Sequence, residues 1–188
     1  MSTLVTTNGN ITNGNITNVN TGTIKDATGN TTAMTIDSTG RVLTPARPAF
    51  GVRRDSSDQS ISGSTYTIVE FETEEFDIGG NFDMSTYRFT APIAGIYHFS
   101  ANVRFKATNN TIDYVSLHLF KNGSIFKDLV QMNSGTNNMD NSHLGGSATV
   151  QLAASDYITL NGRISGGSPA FGYNASGHMT NFNGFFVG

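Results

Sequence analysis

Histidine and the acidic residues are the side chains in this sequence that could ligate a metal or transfer a proton. The histidines do not stand at spacings typical of a zinc site, and the chain has no cysteine. His98 and His118 are out of phase with the apolar residues of the strands predicted around them, so we expect both to face solvent. The sequence therefore predicts no zinc site among its histidines, which are His98, His118, His143 and His178.

The acidic stretch between residues 74 and 83 is the second candidate for chemistry. Its carboxylates could in principle ligate calcium, which takes oxygen ligands, but we favour a solvated loop. The run DIGGNFD has the glycines of a phosphate-binding loop but neither its lysine nor its helix. No convergent carboxylate pair for glycan hydrolysis is visible. We expect no enzyme activity, metal or cofactor from these residues, which are Glu74, Glu75, Asp77 and Asp83.

The composition indicates the elements that must position these side chains. Charged residues make up only 13% of the 188 residues, and Asn, Thr, Ser and 21 Gly supply the polar surface, which favours strands and turns over helices. A net charge of -3 without a basic cluster argues against a nucleic-acid partner. The opening MSTLVTTNGN has neither the basic patch nor the apolar run of a signal peptide, and no later run is long enough for a membrane span, so we expect neither. We predict an all-β protein.

The amino-terminal region, residues 1-47, is rich in Asn, Thr and Gly and contains the tandem repeat NGNITNGNIT. Because its period of five is odd, Ile11 and Ile16 would lie on opposite faces of one flat strand. The segment is therefore a disordered tail, or it turns at each Asn-Gly, or it is an arm that packs on other chains. Residues 33-45, AMTIDSTGRVLTP, have the alternation and the turn residues of a hairpin-like linker.

Residues 48-188 have the pattern of a two-sheet antiparallel β domain. From Tyr97 to Phe105 apolar and polar residues alternate, as in a strand with one buried face. Asn122-Gly123 is typical of a tight hairpin turn. The predicted strands are 50-53, 66-71, 87-90, 95-105, 112-121, 124-132, 147-152, 156-164 and 178-187.

Aromatic residues in this region resemble the signature of the globular head of complement component 1q, a jelly roll shared with the tumour necrosis factor ligands. The match fails only at Ala101, where an aromatic residue would stand. The resemblance implies an antiparallel jelly-roll β-sandwich that assembles as a homotrimer, and some members of the family bind calcium near the trimer axis. The matching positions are Asp77 and the expected head core, Phe71, Phe82, Phe89, Gly95, Tyr97 and Phe99.

The last strand supports self-association by a separate argument. Phe185, Phe186 and Val187 are consecutive and apolar, so both faces of this strand need cover. One face has the domain's own core, and we expect the other to meet a neighbouring subunit. These three residues are the candidate trimer interface.

The Thr/Asn/Gly-rich arm ends in AMTIDSTGRVLTPARPAF, residues 33-50, which looks similar to the segments that precede such heads in phage tail and appendage proteins. Because we also expect no export signal and no disulfide, we expect a structural protein of a tailed bacteriophage, such as a short fibre, a tail appendage or a capsid decoration. It would be made in the host cytoplasm and located in the virion. The arm would attach to other virion proteins, and the head could contact a glycan or protein of the host surface. The alternative is a secreted recognition or adhesion module of the same family. The candidate anchor residues are Ile11, Ile16, Val19 and Ile24.

Overall fold

The computed structural model describes residues 23-25, 28-30, 32-108, 111-134, 140-173 and 179-188. The chain divides into two compact units, Met1–Pro45 and Ala46–Gly188. All regular elements within the described residues are strands, and every strand pairing is antiparallel. The prediction of an all-β antiparallel protein is confirmed.

The first unit contains a small sheet of three strands, β1 (Thr23–Lys25), β2 (Thr32–Ile36) and β3 (Val42–Leu43), in the order β1-β2-β3. A turn at Asp37 joins β2 to β3, and its carboxylate accepts hydrogen bonds from Thr39 and Arg41. Bonds from the Thr39 hydroxyl and from Arg41 lower the pKa of Asp37 to about 2. Gly40 has a φ of 84°, as the turn requires. β2 and β3 therefore form an antiparallel hairpin in the segment where the sequence has alternation and turn residues.

The second unit is the head, and it forms a jelly roll of two sheets. Its strands are β4 (Ala49–Arg54), β5 (Gln59–Ser60), β6 (Thr67–Ile68), β7 (Thr73–Ile78), β8 (Phe82–Asp83), β9 (Arg88–Thr90), β10 (Gly95–Lys106), β11 (Tyr114–Lys121), β12 (Ser124–Asn133), β13 (Asn141–Leu152), β14 (Tyr157–Ser165), β15 (Ala170–Gly172) and β16 (Thr180–Phe186). One sheet has the order β5-β15-β10-β16-β4-β7, and β13 also pairs with β10. The other sheet has the order β12-β11-β14-β9-β8, and β6 also pairs with β14.

A cluster of aromatic rings fills the space between the two sheets. The ring of Phe50 lies with its centroid 4.8 Å from that of Phe82, 5.1 Å from Phe89 and 5.0 Å from Phe182. Phe99 packs on both Phe89 and Phe182. Rings in these offset and edge arrangements bury a large apolar area. Because the chain has no cysteine, this burial stabilises the head without disulfides.

The Asn122-Gly123 turn is confirmed, since both residues have positive φ, 51° and 82°, and join β11 to β12. Several short strands were missed, namely β5, β7, β8 and β15. In β7 the consecutive Glu74 and Glu75 interrupt the alternation of apolar and polar residues that would indicate a strand. A β-bulge opposite Gly51 and Val52 accommodates the extra residue in the pairing of β7 with β4.

The prediction that His118 faces solvent is wrong. His118 is only 3% exposed, because β11 lies between β12 and β14 and the Tyr66 ring packs edge-on against the imidazole at 5.0 Å. Its Nδ1 lies 2.6 Å from Oδ1 of Asp128. His98 is half-buried on the outer side of β10.

Candidate functional site

The outward face of the β10-β16-β4-β7 sheet carries exposed apolar side chains. Phe185 pairs with Ala49, which pairs with Ile78 on β7, so these residues lie side by side on one face. In the adjacent row Asn183 pairs with Gly51, which pairs with Phe76. The exposed fractions of Phe76, Ile78 and Phe185 are 45%, 43% and 49%. We refer to these three residues as the apolar face.

Gly51 lets the Phe76 ring lie close over the backbone of β4. A Cβ at Gly51 would be 2.6 Å from Cε1 of Phe76 and 2.9 Å from Oδ1 of Asn183. Both distances are below normal contact. A side chain at this position would therefore push the Phe76 ring away from the sheet.

Paired polar groups border the apolar face. Nδ1 of His98 lies 3.0 Å from the Thr149 hydroxyl, and the imidazole packs on Phe185 with a centroid distance of 5.3 Å. On the other side, the Arg53 guanidinium bonds Asp55 at 2.8 Å and Glu75 at 2.6 Å. The two carboxylates raise the pKa of Arg53, which keeps it ionised. An apolar centre within a polar rim is the usual anatomy of a protein interface.

The three residues predicted as trimer interface do not share one environment. Phe185 lies on the apolar face, and Val187 is 45% exposed just beyond the strand. Phe186 turns inward and packs on Tyr97, with centroids 5.2 Å apart, and the Arg47 guanidinium carbon lies 5.6 Å from the centroid of the Phe186 ring. The interface role itself stays a prediction. Sequence reasoning missed Phe76 and Ile78, although their spacing of two was a usable signal.

The residues predicted as head core occupy the interior. Phe71, Phe82, Phe89, Tyr97 and Phe99 are each at most 6% exposed. The Tyr97 hydroxyl donates to the carbonyl of Ile93 at 2.8 Å, and burial raises the pKa of Tyr97.

Gly95 begins β10 beside the end of the chain. A Cβ there would overlap the Phe186 ring and approach the Gly188 carbonyl oxygen to 2.9 Å. Ala101, at the position where the family signature has an aromatic residue, is 2% exposed. The space at Gly95, the first residue of β10, therefore has no room for a side chain.

The small amino-terminal sheet also has one side that carries apolar side chains. Ile24 pairs with Met34, and Ile36 pairs with Val42, so these four side chains lie on one side of the sheet. Ile24 and Ile36 are each 42% exposed and Val42 is 59% exposed. The other predicted anchor residues, Ile11, Ile16 and Val19, lie outside the described residues.

The acidic stretch is engaged in local structure. The Asp77 carboxylate accepts from the main-chain N–H of Asn81 at 3.1 Å and of Phe82 at 2.8 Å, which fixes the loop before β8. Glu74 is exposed, and Glu75 bonds Arg53. His143 is exposed, and His178 lies outside the described residues. Across the part of the chain that the structure describes, no three His, Asp or Glu side chains cluster as metal ligands would.

In the described ranges no helix has the length and apolar character needed to span a membrane. The two antiparallel sheets, the aromatic core and the exposed apolar face define a jelly-roll domain of the kind used for assembly and recognition. The sequence profile of the C1q domain matches residues 49–187, and the chain therefore belongs to the C1q domain family. Domains of this family and of the related tumour necrosis factor fold are generally recognition modules without catalytic activity, and they commonly form homotrimers.

The solved structures that are similar to this chain in fold include the following two. The globular domain of the zebrafish complement 1qA protein is 18% identical, with a TM-score of 0.50, over 75% of this chain and 98% of that one. The Eiger tumour necrosis factor of S. frugiperda is 12% identical, with a TM-score of 0.54, over 76% and 94%. A search of curated proteins found no match.

Proposed function

We propose that this chain is a homotrimeric structural protein of a tailed-bacteriophage particle, located in the virion as a short fibre, tail appendage or capsid decoration. The head is displayed outward, and the arm of residues 1-47 attaches it to other virion proteins. The observation that carries the proposal is that each of the two units leaves an apolar sheet face uncovered.

The apolar face of the head supports self-association. Burial of a Phe or Ile side chain contributes about 1.5–3 kcal/mol relative to exposure, so covering Phe76, Ile78 and Phe185 in each protomer favours assembly. Paired ions at the rim, such as Arg53 with Glu75, can stay hydrated at the edge of that contact. Homotrimers are common among C1q domains.

The amino-terminal sheet supports attachment through the arm. Three strands of two to five residues are too small to be stable in water without a packed apolar face. Threefold association would bring three copies of the arm together, so Ile24, Ile36 and Val42 could pack between chains or on virion proteins. Contacts between chains would also accommodate the odd period of Ile11 and Ile16.

The experiment is to assemble particles with a chain that lacks residues 2-30. We expect a soluble trimeric head that melts normally and is absent from purified particles. Full occupancy of the truncated protein would show that the head makes the attachment. Failure of the intact protein to enter any particle would favour the alternative, a secreted C1q-like recognition module.

A matched pair of substitutions tests the apolar side of the small amino-terminal sheet without removing residues. Ile36 and Leu43 are similarly exposed, at 42% and 46%, but lie on opposite faces of the small sheet, since Leu43 pairs with Thr35. Ile36→Ser should reduce occupancy in particles, whereas Leu43→Ser should not. Equal losses of occupancy from the two substitutions would show that attachment needs the small sheet only as a folded unit and does not use its apolar side.

A further inference from the structure

A cavity of about 260 Å³ with a mixed polar and apolar lining opens on the head near β8 and β9. Its walls come from three separate parts of the chain: the loop at Gly80 and Asn81, the β8–β9 strands with Pro92 after them, and the turn at Ser155. The side chains of Asp83, Arg88 and Thr90 line it. None of these residues belongs to the apolar face.

Arg88 is a cation without a counterion at this cavity. Its guanidinium carbon lies 5.1 Å from the centroid of the Tyr157 ring. Within the part of the chain that the structure describes, the guanidinium makes no hydrogen bond or ion pair, and its Nε is buried without an acceptor. The two Nη atoms bond no described group either, so they are available to donate to a group in the cavity.

Asp83 is opposite Arg88 in the β8–β9 ladder, yet the two do not form an ion pair. The Asp83 carboxylate instead accepts three hydrogen bonds from nearby residues: from the Ser85 N–H at 2.8 Å, the Ser85 hydroxyl at 2.6 Å and the Thr86 hydroxyl at 2.7 Å. The bonds from Ser85 and Thr86 lower the pKa of Asp83 to about 2, so it stays ionised. Two opposite charges therefore line one cavity without neutralising each other.

Main-chain hydrogen bonds fix the rim of the cavity. The N–H of Thr90 donates to the carbonyl of Asn81 at 2.9 Å. The N–H of Ala91 donates to the carbonyl of Asp156, and the N–H of Ser155 donates back to Ala91, both at 2.8 Å. Ser155 is held at a φ of 71°, a conformation unusual for serine. The cavity is thus preformed, which lowers the entropic cost of binding.

We propose that this cavity binds one neutral sugar ring through two adjacent hydroxyls. One hydroxyl accepts from the Arg88 guanidinium, and its neighbour donates to the Asp83 carboxylate. The Asn81 amide and the Thr90 hydroxyl can bond further oxygens, and exposed Pro92 offers an apolar surface to C–H groups. The formal charges of Arg88 and Asp83 cancel, which favours a neutral ligand over a sugar acid or an amine.

The size of the cavity suits a single sugar ring, since drug-sized ligands occupy cavities of roughly 300 Å³ or more. A single ring bound this way has low affinity, and several copies of the head would raise it by multivalency. The inference does not depend on a phage origin, because the cavity lies within one head.

The test is a titration of the isotope-labelled full chain with glucose, galactose, mannose and N-acetylglucosamine, followed by amide NMR shifts. Glucuronate and glycine serve as acidic and zwitterionic probes. We expect saturable shifts at Asn81, Phe82 and Thr90 with at least one neutral sugar. Loss of the charged donor in Arg88→Gln should weaken that binding by about tenfold or more.

Arg163→Gln is the matched control, because Arg163 also lies over tyrosine rings, those of Tyr66 and Tyr114, but outside the cavity. It should bind like the unaltered chain. Thr90→Val, a near-isosteric change, should also weaken binding and provides the test if Arg88→Gln does not fold. Absence of shifts at the cavity with all four sugars, tighter binding of glucuronate or glycine, or equal effects of the two arginine substitutions would each overturn the proposal.

Discussion

The head and the β1–β3 sheet are both built from short antiparallel strands, but they place their apolar side chains differently. In the head, rings such as Phe50 and Phe99 are fully buried between two sheets of the same chain. In the small sheet, Ile24, Ile36 and Val42 are 42% to 59% exposed. The head can therefore fold on contacts within one chain, whereas we expect the small sheet to need contacts from outside it. The apolar face of the head shares one property with each: its side chains are exposed, as in the small sheet, but it belongs to a unit whose interior is already well packed.

The largest effect should come from the head core. Phe99→Ala removes a ring that is 0% exposed and should destabilise the head by about 3–5 kcal/mol. Since whole domains have only about 5–15 kcal/mol of stability, the variant should lose most of its folded population on mild heating. Thermal unfolding followed by circular dichroism measures this. Near-normal melting would show that Phe99 is not part of the core.

A matched change on the apolar face should affect assembly instead of folding. Phe185→Asp places a charge where we expect contact between subunits, and loss of a central interface side chain costs about 2 kcal/mol or more of binding. The far-ultraviolet spectrum should remain that of a β protein, while light scattering should report a smaller particle. A variant that stays trimeric would place the interface elsewhere on the head.

The stability of the head should also depend on pH through Glu72. Burial raises the pKa of this carboxyl, but hydrogen bonds from the main-chain N–H of Ser56 and the Ser57 hydroxyl outweigh burial and lower it to about 2. A depressed pKa contributes stability that is present above the unfolded pKa of 4.5 and lost as pH falls toward 2.

Glu72→Gln should therefore remove about 1 kcal/mol from the unfolding free energy at pH 7, after allowance for partial exposure, and nearly nothing at pH 2. Urea unfolding at both pH values is the measurement. Equal losses at the two pH values would mean that ionisation of Glu72 contributes nothing.

The smallest expected effect is that of a chelator. The Asp77 carboxylate is used to hold the Asn81 and Phe82 amides, so we expect EDTA to leave the melting temperature unchanged. Calorimetry with and without EDTA tests this. A marked fall in the midpoint would point to a cation bound near the acidic stretch.

The residues best predicted from sequence are those whose environment follows from local alternation. Tyr97 and Phe99 alternate with His98 and Ser100, so their direction could be derived from the period of two. His118 could not be derived in this way, since Tyr66 from a distant loop covers it. The cavity at Arg88 was also beyond sequence reasoning, because Asn81 and Ser155 meet there only through the fold.

The most direct test of the account is the mass of the head in solution. Residues 46–188 form one compact unit, and we expect sedimentation equilibrium at micromolar concentration to give three times the mass of one chain. A stable monomer at that concentration would contradict the assignment of the apolar face, centred on Phe185, as a subunit interface.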